Sequence, residues 1–534
     1  MPERHPNVAA LLSGIALAYP DRLALVQYRR DRRERVTFAQ LAERVECAVS
    51  LYRAKGLRPG DRVLVLVPMS IDLYVTLIAC FHAGLSALFV DAWADRRRLA
   101  DAIRAARPRA FVGSRKAQLL RLICGELRRI PVQITADEIA VRTCGPAPGP
   151  EEVDPEDPAL ITLTTGSTGT PKAAARSHRF LWAQHQALAR YLCLRVGDVD
   201  LTTLPIVVLN NLTLGITTVL PDFDPRHPTD IDPATLYRQI EAEDVTTSSG
   251  SPAFYERLAL WCVRSGRRLP FRAVFTGGAP VLPSLGRLLS ETVEGEAHAI
   301  YGSTEAEPIA GIEIREMLRL IEDEGLDGLP AGHPVPGIAL RLARPHEGSI
   351  ELDGRGWAEW EVGRGETGEV IVAGEHVLGR YLENPEADHA GKIRDGNRIW
   401  HRTGDAARLD TSGRLWLMGR LSARVRQANG TWWPLPGELR ARQTAPVTHA
   451  AYFGAPENTA VQRAVLCVET AGGRLDATSR DRVLQELSPY PADEFHVLPR
   501  IPRDPRHASK TDLTALREML AGRTARQRGP HHSS

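Results

Sequence analysis

Lysine is almost missing from this chain. Only Lys55, Lys116, Lys172, Lys392 and Lys510 occur, and the rest of the 67 basic residues are arginine. A site that needs an amine therefore has few candidates. An excess of either charge is missing too: 67 basic against 65 acidic residues leave a formal net charge of +2. That excludes broad attraction to nucleic acid or anionic lipid. The seven cysteines are scattered, with no Cys-x-x-C pair and no histidine at zinc-finger spacing. A disulfide framework and a structural zinc site are thereby disfavoured, and free thiols in a reduced, cytoplasmic protein are expected. No uninterrupted apolar run is long enough to span a bilayer: Ile71 to Val90 is broken by Asp72 and His82. The N-terminal segment reads as an amphipathic first helix rather than a signal peptide.

What remains is ordinary for a soluble globular protein. The chain has 534 residues, 43% hydrophobic and 25% charged, room for about three to four structural units. Short apolar runs alternate with helix-period segments. Arg62–Pro68, Ser86–Val90, Ala159–Thr164, Ala273–Thr276 and Ala297–Ile300 read as strands, and Ser70–Ala83 and His178–Tyr191 as helices. Strands that are apolar throughout imply sheets covered on both faces, so the first ~420 residues are expected to be α/β. Function in such sheets sits at the carboxyl ends of the strands, where the Gly-rich loops fall. Beyond Gly419 the pattern shortens to small strands and two helices ending at Leu520. The expected division is 1–419, 420–520 and a disordered tail, 521–534.

Five segments carry chemistry. The first is TTGSTGTPK, from Thr164 to Lys172, directly after a strand. Glycines allow close backbone approach, and hydroxyl and amide donors suit phosphate oxygens. A Walker A loop is excluded, because Pro171 and Ala173 flank Lys172 where that motif needs Gly and Ser/Thr. The second is YGSTE, Tyr301–Glu305, with an aromatic face, two hydroxyls and a carboxylate. One carboxylate plus substrate phosphates is a usual way to hold Mg²⁺. The third and fourth are HRTGD, His401–Asp405, and Gly419–Arg420; a carboxylate there suits a pair of vicinal hydroxyls. The fifth is Lys510. Taken singly, YGSTE is equally a solvated turn, Asp405 a turn-former and Lys510 a surface residue.

Taken together and in this order, the five resemble the adenylate-forming (AMP-forming) enzyme superfamily, which includes acyl-CoA synthetases, adenylation domains and luciferases. The resemblance runs from PDRLALV near the N-terminus to Lys510. It implies a large N-terminal domain of helix-flanked β-sheets and a smaller, mobile α+β C-terminal domain. It also implies ATP and Mg²⁺ as cofactors and a carboxylic acid as substrate. By the same resemblance, Thr164, Thr165, Gly166, Ser167, Thr168, Gly169 and Lys172 form the loop over the β- and γ-phosphates. Gly277, Gly278, Ala279 and Pro280 lie against adenine, and Tyr301 stacks on it in the segment with Gly302 and Ser303. Thr304 lies near the α-phosphate, Glu305 holds Mg²⁺, Asp405 binds ribose with Arg420 assisting, and Lys510 bridges carboxylate and α-phosphate. A non-catalytic nucleotide-binding protein on this fold would be expected to lose Glu305, Asp405 or Lys510, and all three are present.

The chain also departs from the CoA-ligase pattern. Ala173 follows the loop lysine where Gly is usual. Ser422 stands at the hinge position, and Pro436 and Glu438 fall one residue late. With Pro221–Pro233 and Pro505–Lys510, these features look most like the branch containing β-lactone synthetases and fatty-acid–CoA-ligase-like proteins. Acyl acceptors other than CoA therefore stand beside it: an acyl carrier protein thiol, an amine, or the substrate's own 3-hydroxyl. The acyl pocket is expected along Leu204–Gly215, whose Val207, Val208 and Leu209 suggest an apolar acyl group. Asn210 and Asn211 read either as polar handles in that pocket or as caps of the following helix, with the cap favoured.

Overall fold

The segment RVLVL, apolar at every interior position, needs cover on both faces, and the fold supplies it. In the computed structural model the strand Arg62–Leu66 lies between the parallel strands Ala110–Gly113 and Ser86–Phe89. Val63 and Val65 join one core cluster and Leu64 another. Full burial of a side chain of this size contributes about 1.5–3 kcal/mol. The structure describes residues 7–29, 32–90, 96–140, 149–165, 171–223, 230–457, 459–503 and 510–527, without the side chains of 140, 164, 165, 171 and 523–527. The helix Ile71–His82 starts where Ser70 accepts the Leu73 amide at 3.3 Å, a cap worth about 1 kcal/mol. Six strands form this sheet, closed at one edge by Pro158–Thr165 and its antiparallel partner Pro171–Ser177.

A second sheet of 14 strands carries the rest of the N-terminal region. One half is parallel and runs through Leu23–Arg29, Thr217–Leu220, Val199–Thr202, Thr247–Gly250, Ala273–Gly277 and Glu296–Ser303. The other half is antiparallel, through Ala306–Glu313, Leu329–Pro334, Leu415–Arg420, Arg398–Leu409, Gly368–Ala373 and Ala339–Ala343. The expectation of continuous helix-covered strands describes only the first half. Ser303 opposes Ala306, so Thr304 and Glu305 make the whole connection. A parallel return needs a crossover of a dozen residues or more, so this strand must fold back as a hairpin. The strand also runs on to Ser303 instead of stopping at Ile300.

After Arg420 the chain forms separate sheets. Val425–Gln427 pairs with Gly430–Trp432, and His449–Ala455, Arg463–Glu469 and Glu494–Leu498 make a three-stranded sheet. Strand alternation puts Tyr452, Leu466 and Val468 into one core and Phe453, Val465 and Cys467 into another. Among the described residues three α-helices accompany these strands rather than two: Pro434–Ala441, Ala477–Leu487 and Leu513–Gln527. The last passes Leu520 because AGRTARQ is largely alanine and arginine, good helix formers. Five described cysteines, Cys80, Cys124, Cys193, Cys262 and Cys467, are thiols outside any disulfide, as expected. Among the described residues no helix is long and apolar enough to cross a membrane.

Candidate active site

The strands Ala273–Gly277 and Glu296–Ser303 are parallel neighbours, so their carboxyl ends lie side by side. A Cβ on Gly277 would stand 2.7 Å from the Ile300 carbonyl oxygen, so only glycine fits there. Gly278 follows at φ +82°, which turns the chain into Ala279 and Pro280. Opposite, Arg398–Leu409 and Leu415–Arg420 pair so that Asp405 faces Arg420 directly. The Arg420 Nε lies 3.1 Å from one Asp405 carboxylate oxygen, and the Tyr301 hydroxyl donates to the other at 2.9 Å. Burial, and then the Asp405 charge, hold the Tyr301 phenol well above its ordinary pKa, so it stays a neutral donor. A carboxylate fixed on two sides in this way is an acceptor for ligand hydroxyls.

The turn between Ser303 and Ala306 is held at three points. The Thr304 carbonyl accepts from Arg176 Nη2 at 3.0 Å, and the Glu305 carbonyl from the Leu378 amide at 2.7 Å. The Glu305 carboxylate accepts from the Tyr381 hydroxyl at 3.0 Å. The Lys172 and Lys392 ammonium groups stand 5.4 and 5.0 Å from the Tyr381 ring centre. Lys392 donates to the Leu378 carbonyl and lies 3.2 Å from His401 Nδ1. Burial pulls the Lys392 ammonium down to about 7, with Glu305 and Asp388 pulling the other way. Burial and the Lys392 charge keep His401 neutral.

Of the phosphate loop, Gly166, Ser167, Thr168 and Gly169 lie outside the described residues. Thr164 and Thr165 end one strand, and Lys172 is the second residue of the return strand, with its Cα opposite Thr164. Lys510, although more than 100 residues beyond Asp405, lines the same cavity. That cavity has a volume of about 2510 Å³, larger than the ~300–1,000 Å³ of a single small-molecule site, so it has room for a nucleotide and a second substrate together. From Lys172 and Gly277 through Glu305 to Asp405, Arg420 and Lys510, the expected residues share it. Ser303 also lines it, with a buried hydroxyl that has no partner among the described residues. The glycine-floored wall, that spare hydroxyl and the clamped carboxylate of Glu305 fit a magnesium-bound nucleotide.

Comparison with known proteins bears on this arrangement. The AMP-binding enzyme family model matches residues 14–382. The chain belongs to the AMP-binding enzyme family. It is 32% identical to an olefin beta-lactone synthetase of Stenotrophomonas maltophilia, over 96% of this chain and 97% of that protein. A second olefin beta-lactone synthetase, from Xanthomonas campestris, is 30% identical and covers 98% of each chain. Among solved structures, the O-succinylbenzoate coenzyme A synthetase of Bacillus subtilis in complex with ATP and magnesium superposes with a TM-score of 0.76 at 20% identity, over 96% of this chain and 99% of that one. The fold is thus that of adenylate-forming enzymes, and the chain is an AMP-forming ligase that activates a carboxylic acid as an adenylate.

In this AMP-binding enzyme the segment expected to line the acyl pocket is mostly the helix Pro205–Leu212. Ile206, Val207 and Leu209 face the cavity, whereas Val208 is fully buried in the core. Asn210 and Asn211 lie inside this helix, because it begins at Pro205, and they cap nothing that follows. Asn211 Nδ2 donates to Asp200 at 2.8 Å, and Asn210 Oδ1 lies 2.9 Å from His185 Nδ1. Three residues at the site escaped the sequence reading: Arg176, Tyr381 and Lys392. Arg176 is one arginine among many, and nothing in GRYLENPE marks Tyr381. The scarcity of lysine was a usable signal for Lys392.

Proposed function

We propose that the chain condenses a fatty or 3-hydroxy fatty acid with ATP, releasing pyrophosphate and leaving an acyl-adenylate. The supporting observation is the meeting of Glu305, Asp405, Arg420 and Lys510 in one cavity, from segments far apart in sequence. A carboxylate and an α-phosphate repel: at ~4 Å and an effective dielectric near 20 each like-charge contact costs ~4 kcal/mol. The Lys510 ammonium between them offsets that repulsion and stabilises the charge that develops in the in-line transition state. Glu305, aimed by Tyr381, is the protein ligand of Mg²⁺, which when bound neutralises phosphate charge. Asp405 and Arg420 hold the ribose, Tyr301 and Gly277–Pro280 the base, and Thr164–Lys172 the terminal phosphates. Residues 420–520 act as the lid that delivers Lys510. The apolar face of Ile206, Val207 and Leu209 supports an apolar acyl chain.

The test is carboxylate-dependent exchange of pyrophosphate into ATP across acids of increasing chain length, with and without a 3-hydroxyl. Exchange with fatty acids is expected, and no exchange with any acid at saturating Mg²⁺ overturns the reading. A second reading concerns the acceptor. Both full-length relatives named above are olefin beta-lactone synthetases, which favours attack by the substrate's own 3-hydroxyl over transfer to CoA or a carrier thiol. In that step the hydroxyl oxygen bonds to the acyl carbon, its proton passes to solvent, and AMP leaves with the electron pair of the broken acyl–oxygen bond. A 3-hydroxy acid and ATP without CoA should then give lactone; strict dependence on a thiol refutes it.

A further inference from the structure

Little backbone pairing holds the chain next to Lys510. Arg503 and Thr511 form one isolated antiparallel bridge, and the Asp512 amide donates to the Pro502 carbonyl at 2.9 Å. A side-chain chain supplements them. Arg442, at the C-terminal end of the helix Pro434–Ala441, has its Nη1 2.9 Å from His449 Nδ1. His449 opens the strand His449–Ala455, and its Nε2 lies 3.1 Å from the Thr511 hydroxyl. Thr511 is the residue after Lys510.

The directions of these bonds follow from the groups. A guanidinium has donors only, so His449 Nδ1 must accept. A neutral imidazole that accepts at Nδ1 carries its proton on Nε2, and therefore donates to Thr511 Oγ. Burial, with the charges of Arg442 and Arg503, holds His449 down to about 3, which keeps the ring neutral at ordinary pH. Arg442 thus selects one tautomer, and that tautomer presents an N–H to the neighbour of the amine. All three residues lie beyond Arg420, so the chain of bonds travels with Lys510.

We propose that His449 is a positioning residue for Lys510: through Thr511 it fixes the amine-bearing segment to the three-stranded sheet. The idea rests on the reading of Lys510 given under Proposed function. Its chemistry is orientation, since a misplacement of about 1 Å at a reacting group costs about a hundredfold in rate.

The test uses the full-length chain and ATP–pyrophosphate exchange with the best acid found. Thr511→Val keeps the shape and removes the acceptor. It should lower kcat about five- to tenfold, the worth of one hydrogen bond, with the KM for ATP and the melting temperature unchanged. Thr511→Ser should restore most of the rate. His449→Phe should match Thr511→Val, and the double variant should be no worse than either single one, as for two ends of one contact. In parallel, hydrogen exchange should speed up at residues 510–513 in Thr511→Val and stay as in the parent at 450–455. Wild-type kcat in both single variants, or a rise in KM for ATP without loss of kcat, overturns the proposal while a dead Lys510→Ala leaves the Lys510 reading standing. Should Lys510→Ala turn over normally, the Lys510 reading falls and the hydrogen-exchange result decides whether His449 holds the segment. Unchanged exchange at 510–513 refutes it.

Discussion

The two ends of the cavity are built differently. At the end proposed to hold adenosine, Asp405 and Arg420 stand on neighbouring strands and Tyr301 on a more distant strand of the same 14-stranded sheet, and backbone register sets Asp405 opposite Arg420. At the amine end, the chain next to Lys510 is held by one bridge, the Asp512–Pro502 hydrogen bond and the Arg442–His449–Thr511 bonds. The region that carries it contacts the rest of the chain partly through exposed ion pairs. Glu347 pairs with Arg424 at 3.2 Å and with Arg426, and Asp327 pairs with Arg440 at 2.6 Å. A ladder register cannot slip by one residue without turning every side chain to the other face. An exposed ion pair is worth about 0–1 kcal/mol. The end built on the sheet is therefore preorganised, and the end that carries Lys510 is adjustable.

Breaking each end should give different kinetic signatures. The largest effect is expected for Lys510→Ala. Loss of a charge aimed at the transition state should cut adenylation about 10²–10³-fold, while ATP binding measured by calorimetry persists. Equal losses of binding and rate would erase the distinction between the ends. Next is Asp405→Asn, which removes a charged acceptor at the rigid end. The KM for ATP should rise about tenfold or more, as for a charge-assisted hydrogen bond, with a smaller change in kcat. A pure kcat defect would argue that Asp405 serves the chemistry instead.

A third test concerns how the amine-bearing region is held. Glu438 is half-buried on the cavity wall, accepts from the Tyr452 amide at 3.3 Å, and desolvation pushes its carboxyl up to about 8. The native state keeps that proton between the ordinary value of 4.5 and about 8, while the unfolded chain has released it. Stability therefore falls as pH rises through this window, by at most about 1.4 kcal/mol per pH unit. Glu438→Gln removes the titration, so its denaturation midpoint should gain on the parent protein between about pH 5 and pH 8. Parallel curves would show that the carboxyl is already ionised in the fold. The smallest effect is expected for Glu347→Ala. Exchange should change less than about threefold, and the difference should vanish in high salt. A large, salt-insensitive loss would place that ion pair among the parts that hold Lys510.

The sequence was most legible where local rules decide. Ser70 before an apolar helix and the uniformly apolar RVLVL each imply their conformation from neighbouring residues alone. Strand limits were less legible near Tyr301, because a two-residue connection forces pairing that continues the strand through Ser303. Tyr381 and Arg176 were illegible for another reason. Each acts on the Thr304–Glu305 turn from more than 70 residues away, through contacts that leave no local pattern.

By itself the sequence determined the order of the chemical segments and the rarity of the amines, and with them the kind of reaction. Side-chain identity and short-range spacing are enough for that. Only the tertiary structure decided that Tyr381 aims Glu305, that Lys392 is buried beside His401 and that His449 reaches Thr511. Those contacts depend on where distant strands come to lie once apolar surface is buried. Burial also set the protonation of Lys392, His449 and Glu438, because removing a charge from water depends on the whole surrounding fold.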